Sequence, residues 1–114
     1  MSDCIFCKIV NGESPARVIY RDDQVTAFHD LHPAAPVHIL VVPNKHIHSL
    51  NDLTPEDELL VGHIFVVAKQ LAKEQGIHGD GYRAIINTGA HGGQTIFHLH
   101  LHLIGGGRMK YPMG

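Results

Sequence analysis

The chain has 114 residues, of which 44% are hydrophobic, and this is the size of one compact domain with a modest core. We therefore expect a single domain over residues 1–114. A formal net charge of −2 provides no basic surface for long nucleic acid or an anionic membrane. The sequence shows no secretion signal and no apolar run of the roughly 20 residues that cross a bilayer. A cytoplasmic protein is predicted, with neither long nucleic acid nor a membrane as partner.

The first half of the sequence predicts three strands. Residues 17–20 and 24–29 are β-prone runs separated by Arg21, Asp22 and Asp23, which is typical of a hairpin. Residues 37–42 form a third apolar run that follows a proline-rich loop and is closed by Pro43. His38 is its one polar member.

One long helix is predicted between Thr54 and Gly76. Thr54 is placed to cap the helix, Pro55 suits its first turn, and acidic residues follow near the positive end of its dipole. Apolar residues recur at helical spacing and are Leu60, Ile64, Val67, Ala68 and Leu71. Phe65 and Val66 widen the apolar surface, which indicates either a homodimer contact or a monomer with a broad core face.

Two further strands are predicted at residues 82–87 and 97–104, joined by a glycine-rich loop over residues 88–94. Strands, then one helix, then strands again do not alternate as parallel βαβ units do. The predicted fold class is therefore α+β, with a mainly antiparallel sheet of about five strands.

Three histidines carry the chemical signal. Residues 97–103 alternate strictly between apolar side chains and histidine, so His98, His100 and His102 share one face of a strand at intervals of roughly 6.6–7 Å. A neutral imidazole can attack phosphorus when its other ring nitrogen is held by an acceptor, and neighbouring imidazoles can stabilise oxygens or protonate a leaving group. The alternatives are a solvent-facing strand and a metal site.

The loop before this strand fits the same chemistry. Gly92 and Gly93 leave backbone N–H groups unhindered, and Gln94 and Thr95 add polar side chains next to the first histidine. Such a loop can wrap around phosphate oxygens.

The segment HGGQTIFHLHLHLIGGG resembles the signature of the histidine triad superfamily. The likeness extends from CIFCKIVNGE through the third predicted strand to the Tyr-Pro ending. Within the superfamily, the sequence is similar to the Hint branch, the histidine triad nucleotide-binding proteins. The resemblance implies a short N-terminal helix and a sheet that continues across a homodimer. It also implies a purine nucleoside phosphoramidase that cleaves P–N bonds of adenosine or guanosine 5′-phosphoramidates through a nucleotidyl-histidine intermediate, with a purine nucleotide as ligand and no cofactor needed for catalysis.

The resemblance also assigns roles by position. His100 corresponds to the nucleophile, with the backbone carbonyl of His98 holding its tautomer. His102 and His38 complete the phosphate environment, and Thr95 corresponds to a serine near the leaving amine. These five residues are the predicted catalytic set.

The remaining predicted contacts bind substrate. Asn87, Gln94 and Gly93 correspond to phosphate contacts, and Asp30 to the carboxylate that accepts the ribose hydroxyls. An apolar slot for the purine is expected from Ile5, Phe6, Ile9, Phe28, Leu31 and Leu40, each of which also suits simple core packing.

The pair Cys4 and Cys7 has the CxxC spacing of a metal clasp or redox pair. Related proteins with this feature imply a structural zinc bound by Cys4, Cys7, His46 and His98, a closed Cys2His2 set. His48 is the alternative to His46 as the fourth ligand. In the other interpretation the protein binds no metal, and Cys4 and Cys7 have no ligand role.

Two other functions compete with phosphoramidate hydrolysis. A dinucleoside polyphosphate hydrolase of the Fhit branch would share the triad and nucleotide site, and a nucleotide-binding interaction module or metal buffer would need no catalysis. A nucleotidylyltransferase is disfavoured, because the uridylyltransferase relatives carry proline and glutamine where this chain has Leu99 and His102. Tyr111 replaces a tryptophan in the family tail, which bears on leaving-group specificity.

Overall fold

The computed structural model describes residues 3–112, so residues 1–2 and 113–114, which the single-domain prediction also covers, lie outside it. Its helices and strands are α1 (Ile5–Val10), β1 (Val18–Arg21), β2 (Val25–His29), β3 (Val37–Pro43), α2 (Glu58–Glu74), β4 (Tyr82–Ile85) and β5 (Leu101–Gly105). Two 3-10 turns, Leu50–Asp52 and Pro55–Asp57, precede α2. The predicted α+β class, with one short and one long helix, is confirmed.

The strands form one antiparallel sheet in the order β1-β2-β3-β5-β4. α2 covers one face and packs Ile64, Val67 and Leu71 against Leu101 and Leu103 of β5 in a continuous buried cluster. α1 lies in a second, smaller cluster that includes Phe28 and Leu40. Since side chains alternate along β5, and Leu101 and Leu103 face α2, His102 is placed on the opposite face.

The β1–β2 hairpin is tied to α2 through Asp22 in its turn. The Asp22 carboxylate accepts hydrogen bonds from the backbone N–H of Gln24 and of Val25, at 2.8 and 2.7 Å. It also contacts the Tyr20 hydroxyl at 2.6 Å and Nε2 of His63 at 2.5 Å. The hairpin prediction is confirmed, and its turn is linked to the long helix.

The long helix begins later than its predicted cap. Thr54 and Asp57 form a capping box around the turn Pro55–Asp57, with the Thr54 N–H donating to Oδ2 of Asp57 at 3.0 Å, and the α-helix itself starts at Glu58. It ends at Glu74, just before Gly76, whose φ of +75° is readily adopted only by glycine. No helix within residues 3–112 is long and apolar enough to span a bilayer.

Two predicted strand boundaries were wrong. β4 ends at Ile85 rather than Asn87, and β5 begins at Leu101 rather than Phe97. The reason at β5 is a tertiary contact: the Leu99 N–H donates to the carbonyl of Ile47 at 2.7 Å, so the segment before β5 pairs with the loop after β3. The start of the triad is therefore a bridge between sheet and loop.

Candidate active site

The three triad imidazoles lie in the half of the molecule that α1 covers. His98 is fully buried, His100 is 7% exposed, and His102 is partly buried. The rings of His100 and His102 are 4.8 Å apart between centroids, and the edge of Phe6 from α1 packs against His100 at 5.1 Å. The strict alternation of the sequence thus keeps these rings together although β5 starts only at Leu101.

The His100 ring has one tautomer fixed by a neighbour. Its Nδ1 lies 2.7 Å from the backbone oxygen of His98. A carbonyl oxygen only accepts, so Nδ1–H donates and Nε2 keeps its lone pair. Burial lowers the pKa of His100, although the hydrogen bond to the His98 carbonyl acts in the opposite direction. A neutral imidazole with one open nitrogen has the form required of a nucleophile.

His102 and His38 form a pair beside this ring. Nε2 of His38 lies 2.9 Å from Nδ1 of His102, and β3 and β5 bring the two residues to neighbouring register positions. Burial, followed by His100 and His38, lowers the pKa of His102 to about 4. Burial also lowers the pKa of His38, against the opposing effect of Asp30. Both rings are therefore neutral near pH 7.

Asp30 lies at the end of β2 next to His38. One carboxylate oxygen is 3.4 Å from Nε2 of His38, and the other accepts from the backbone N–H of His32 at 2.8 Å. The Asp30 side chain is 20% exposed, so it stands at the rim of the site. A carboxylate at the rim is suitably placed to accept hydrogen bonds from hydroxyl groups of a ligand.

Gln94 holds the glycine-rich loop in shape. Its side-chain oxygen accepts from the Gly89 N–H at 3.0 Å, and its amide nitrogen donates to the carbonyls of His48 and Ile96 at 2.9 and 3.1 Å. Both amide hydrogens are thereby engaged, so the side chain stabilises the loop. Gly93, with φ of +86°, is exposed and keeps the backbone accessible.

Two further predicted residues flank this loop. Asn87 is partly buried just before it, and Thr95 is exposed just after it. Gly92 packs so closely on the backbone of Thr88 that a Cβ there would meet the Thr88 oxygen at 2.4 Å. The loop is therefore a tight turn that admits no larger residue at Gly92.

Four of the six residues predicted for the purine slot come together. Phe6, Ile9, Phe28 and Leu40 are buried in one cluster, with the Phe6 and Phe28 rings edge to face at 5.4 Å. Ile5 is 40% exposed and Leu31 is 80% exposed, so neither belongs to this cluster. Any contact of these two with a ligand would have to be made from the surface.

The four predicted metal ligands meet at one point. One ligand atom each from Cys4, Cys7, His46 and His98 lies within 4.8 Å of the others, and Nδ1 of His98 is 3.3 Å from the Cys4 sulfur and 3.2 Å from Nδ1 of His46. A tetrahedral zinc with bonds of about 2.3 Å to sulfur and about 2.0 Å to nitrogen requires such separations. The donor set therefore fits zinc.

Two neighbouring contacts refine this set. Nε2 of His98 donates to the Pro43 carbonyl at 2.8 Å, which leaves Nδ1 as the ligand atom and fixes the ring. His48 instead stacks on Phe97, with centroids 4.8 Å apart, and points its Nδ1 toward Asp52 at 3.7 Å. His46, and not His48, therefore belongs to the group that could hold a metal.

One contact had no signal in the sequence. The backbone N–H of Ala34 donates to Nδ1 of His38 at 2.9 Å. Every residue except proline carries such a donor, so its place in the site is visible only from the fold. Two cavities of about 550 and 510 Å³ lie at the β4 edge and include none of the predicted catalytic residues.

Three histidines alternate along one segment of an antiparallel α+β domain, the middle one has a fixed tautomer, and a tight glycine loop precedes them. This combination is typical of the histidine triad class of proteins. A family model described as "Scavenger mRNA decapping enzyme C-term binding" matches residues 3–111. A purine nucleoside phosphoramidase from Escherichia coli is 48% identical over 91% of this chain and 87% of its own length. The chain belongs to the histidine triad (HIT) family.

Solved structures agree with this assignment. A HIT family hydrolase from Legionella pneumophila is 45% identical, with a TM-score of 0.95 over 98% of this chain and 100% of that one. A Zn-bound histidine triad family protein from Mycobacterium smegmatis is 37% identical, with a TM-score of 0.78 over 90% of this chain and 74% of that one. The family thus includes both hydrolases and a zinc-bound member.

Proposed function

We propose that the protein is a nucleotide hydrolase and, more narrowly, a purine nucleoside phosphoramidase. The observation that carries the proposal is the His100 ring, whose Nδ1–H is held by the His98 carbonyl at 2.7 Å so that Nε2 is open. The 48% identity to the Escherichia coli phosphoramidase supports the narrower substrate class.

The reaction proceeds in two displacements. Nε2 of His100 attacks the phosphorus of a nucleoside 5′-phosphoramidate, a P–N bond forms to histidine, and the bond to the amine breaks. The amine leaves with its electron pair and takes up a proton. Water then attacks the nucleotidyl-histidine and releases the nucleoside monophosphate, a proton and free His100. The Thr95 hydroxyl, exposed before the triad, is assigned to the leaving amine.

Substrate is oriented by the groups around the nucleophile. Asp30 accepts ribose hydroxyls at the rim, and the cluster of Phe6, Ile9, Phe28 and Leu40 borders the purine. Asn87 and the exposed backbone of Gly93 contact phosphate oxygens, whereas the Gln94 side chain acts by holding their loop. A carboxylate for ribose selects nucleosides over simple phosphoramides.

Zinc is assigned to Cys4, Cys7, His46 and His98 as a structural ion. Bound there, it would supply a fixed tetrahedral link between the start of α1 and the triad segment. His98 contributes its ring to this set and its carbonyl to His100. No step of the proposed reaction uses the ion.

The test is steady-state hydrolysis of adenosine 5′-phosphoramidate beside diadenosine triphosphate. Wild-type protein should prefer the phosphoramidate, and His100→Ala should lose at least about 10³-fold in kcat, since it removes the nucleophile. His78→Ala, an exposed histidine of the loop after α2, is the matched control and should leave kcat unchanged. Preference for the dinucleotide would assign the protein to the Fhit branch, and turnover unaffected by His100→Ala would refute the proposal.

We also propose a homodimer. Within residues 3–112, β4 is an edge strand with no neighbour on one side. α2 exposes Leu59, Phe65 and Val66 on a surface that also contains the exposed Gly62. A mid-helix glycine costs about 1 kcal/mol relative to alanine, which is compensated when a partner helix approaches closely. Val66→Lys should shift the sedimentation coefficient toward a monomer, while Glu13→Lys, in the exposed loop after α1, should not. A monomeric wild type would refute this assembly. A cytoplasmic location and a single domain stay predictions.

A further inference from the structure

The protonation pattern of the site can be followed outward from one backbone amide. The Ala34 N–H lies 2.9 Å from Nδ1 of His38, in the loop between β2 and β3. A backbone N–H only donates, so Nδ1 of His38 must present its lone pair. In a neutral imidazole the single proton is then on Nε2.

The next hydrogen bond transmits this choice. Nε2 of His38 is 2.9 Å from Nδ1 of His102, a distance at which two hydrogens facing each other would repel. Because Nε2 of His38 carries the proton, Nδ1 of His102 must accept the hydrogen bond with its lone pair. The proton of neutral His102 is therefore on its Nε2.

The two neighbouring rings thus acquire opposite roles. His100 has its proton on Nδ1 and an open Nε2, whereas His102 has its proton on Nε2 and can donate it to a phosphoryl oxygen. If His38 carried its proton on Nδ1 instead, both rings would direct lone pairs at an anionic phosphoryl group, and the donor would be lost. Burial keeps the pKa of His38 and of His102 below that of free imidazole, which maintains the neutral forms.

We infer that the Ala34 backbone amide is a positioning group that sets the tautomers of His38 and His102 and so makes His102 a hydrogen-bond donor to the phosphoryl group. This inference rests on the proposed function for its catalytic consequence. It also bears on the second group of possible metal ligands, Asp30, His38 and His102, whose ligand atoms lie within 4.8 Å of one another. The proton on Nε2 of His38 occupies the side on which a metal would bind.

The first experiment reads the tautomers directly in the wild type. Long-range ¹H–¹⁵N correlation spectra of the ¹⁵N-labelled protein at pH 7 distinguish protonated from bare ring nitrogens. The expected result is a bare Nδ1 and protonated Nε2 in His38 and in His102, with the reverse in His100. A protonated Nδ1 in His38 would overturn the inference, whether or not the protein hydrolyses phosphoramidates.

The second experiment removes the donor. Ala34→Pro lacks the N–H, whereas Ala34→Gly keeps it and loosens the loop. Because the Ala34 side chain is exposed, neither change disturbs packing. The proline variant should show a mixed His38 tautomer and a kcat about 10-fold lower with KM little changed. This is less than the roughly 10²–10³-fold cost of deleting a donor in the transition state, because a mixed tautomer keeps part of the donor. The glycine variant, which keeps the N–H, should show the wild-type His38 tautomer and a kcat well above that of the proline variant.

A backbone ester at the same position separates tautomer from folding. Replacing Ala34 by L-lactic acid substitutes oxygen for N–H with no change in side chain. A wild-type His38 tautomer in the folded ester protein would overturn the inference, even if Ala34→Pro does not fold. An altered tautomer with unchanged kcat would overturn the catalytic role of the amide while leaving the phosphoramidase proposal intact.

Discussion

Phe6 provides the sharpest test of how α1 supports the site. It is 3% exposed, lies between Cys4 and Cys7 in the sequence, and packs its edge against Phe28 at 5.4 Å and His100 at 5.1 Å. Removing a buried phenylalanine ring generally costs about 3–5 kcal/mol, because the transfer free energy is lost and a cavity remains. α1 has only six residues and can shift toward the cavity, so we expect about 3 kcal/mol for Phe6→Ala.

The assay is urea unfolding of the metal-loaded protein followed by circular dichroism, with Phe97→Ala as the control. Phe97 is 43% exposed and stacks on His48, so its loss should cost about 1 kcal/mol or less. Because Phe6 borders both the nucleophile and the proposed purine slot, Phe6→Ala should also raise KM for adenosine 5′-phosphoramidate. Equal free energies of unfolding for the two variants would refute the assignment of α1 to the support of the site.

Three further predictions concern the metal, acid stability and the hairpin. The double variant Cys4→Ser/Cys7→Ser should retain less than one zinc per chain by elemental analysis and melt at a lower temperature, while a chelator should lower the melting temperature of wild type only. As pH falls from about 6.5 to 4, the His102 imidazole becomes protonated in the unfolded chain but stays neutral in the native protein, so the free energy of unfolding should drop by at most about 3 kcal/mol. His102→Asn should flatten this pH dependence in urea titrations. Burial raises the pKa of Asp22, but its hydrogen bonds outweigh that effect and lower the pKa, so Asp22→Asn should reduce the urea midpoint at pH 7. Well below pH 4 the midpoints of this variant and of wild type should converge, whereas the exposed Asp23→Asn should match wild type at both pH values.

Patterns with a short period were readable from the sequence. The alternation through residues 97–103 predicted which histidines share a face, and helical spacing predicted the buried side of α2. Both inferences hold because side-chain direction in a strand or helix is fixed by local backbone geometry. The capping residues near Thr54 and the stop at Gly76 follow from equally local hydrogen bonding and φ preferences.

Boundaries and individual contacts were harder to derive. β5 starts four residues later than predicted, at Leu101, because Leu99 bonds to Ile47, a residue far away in the sequence. Leu31, predicted for the purine slot, is 80% exposed, and its apolar side chain gave no indication of this exposure. Hydrophobicity alone did not reveal either outcome.

The sequence by itself determined the fold class, the shared face of the triad and, through resemblance, the residues to examine. Only the tertiary structure decided which atoms meet: Cys4 reaches His98 across 94 positions, His46 rather than His48 completes the metal set, and the Ala34 amide contacts His38. Periodicity and propensity describe a side chain relative to its own backbone. Convergence of distant segments depends on strand order, loop paths and packing, and a backbone N–H leaves no trace in the residue letters.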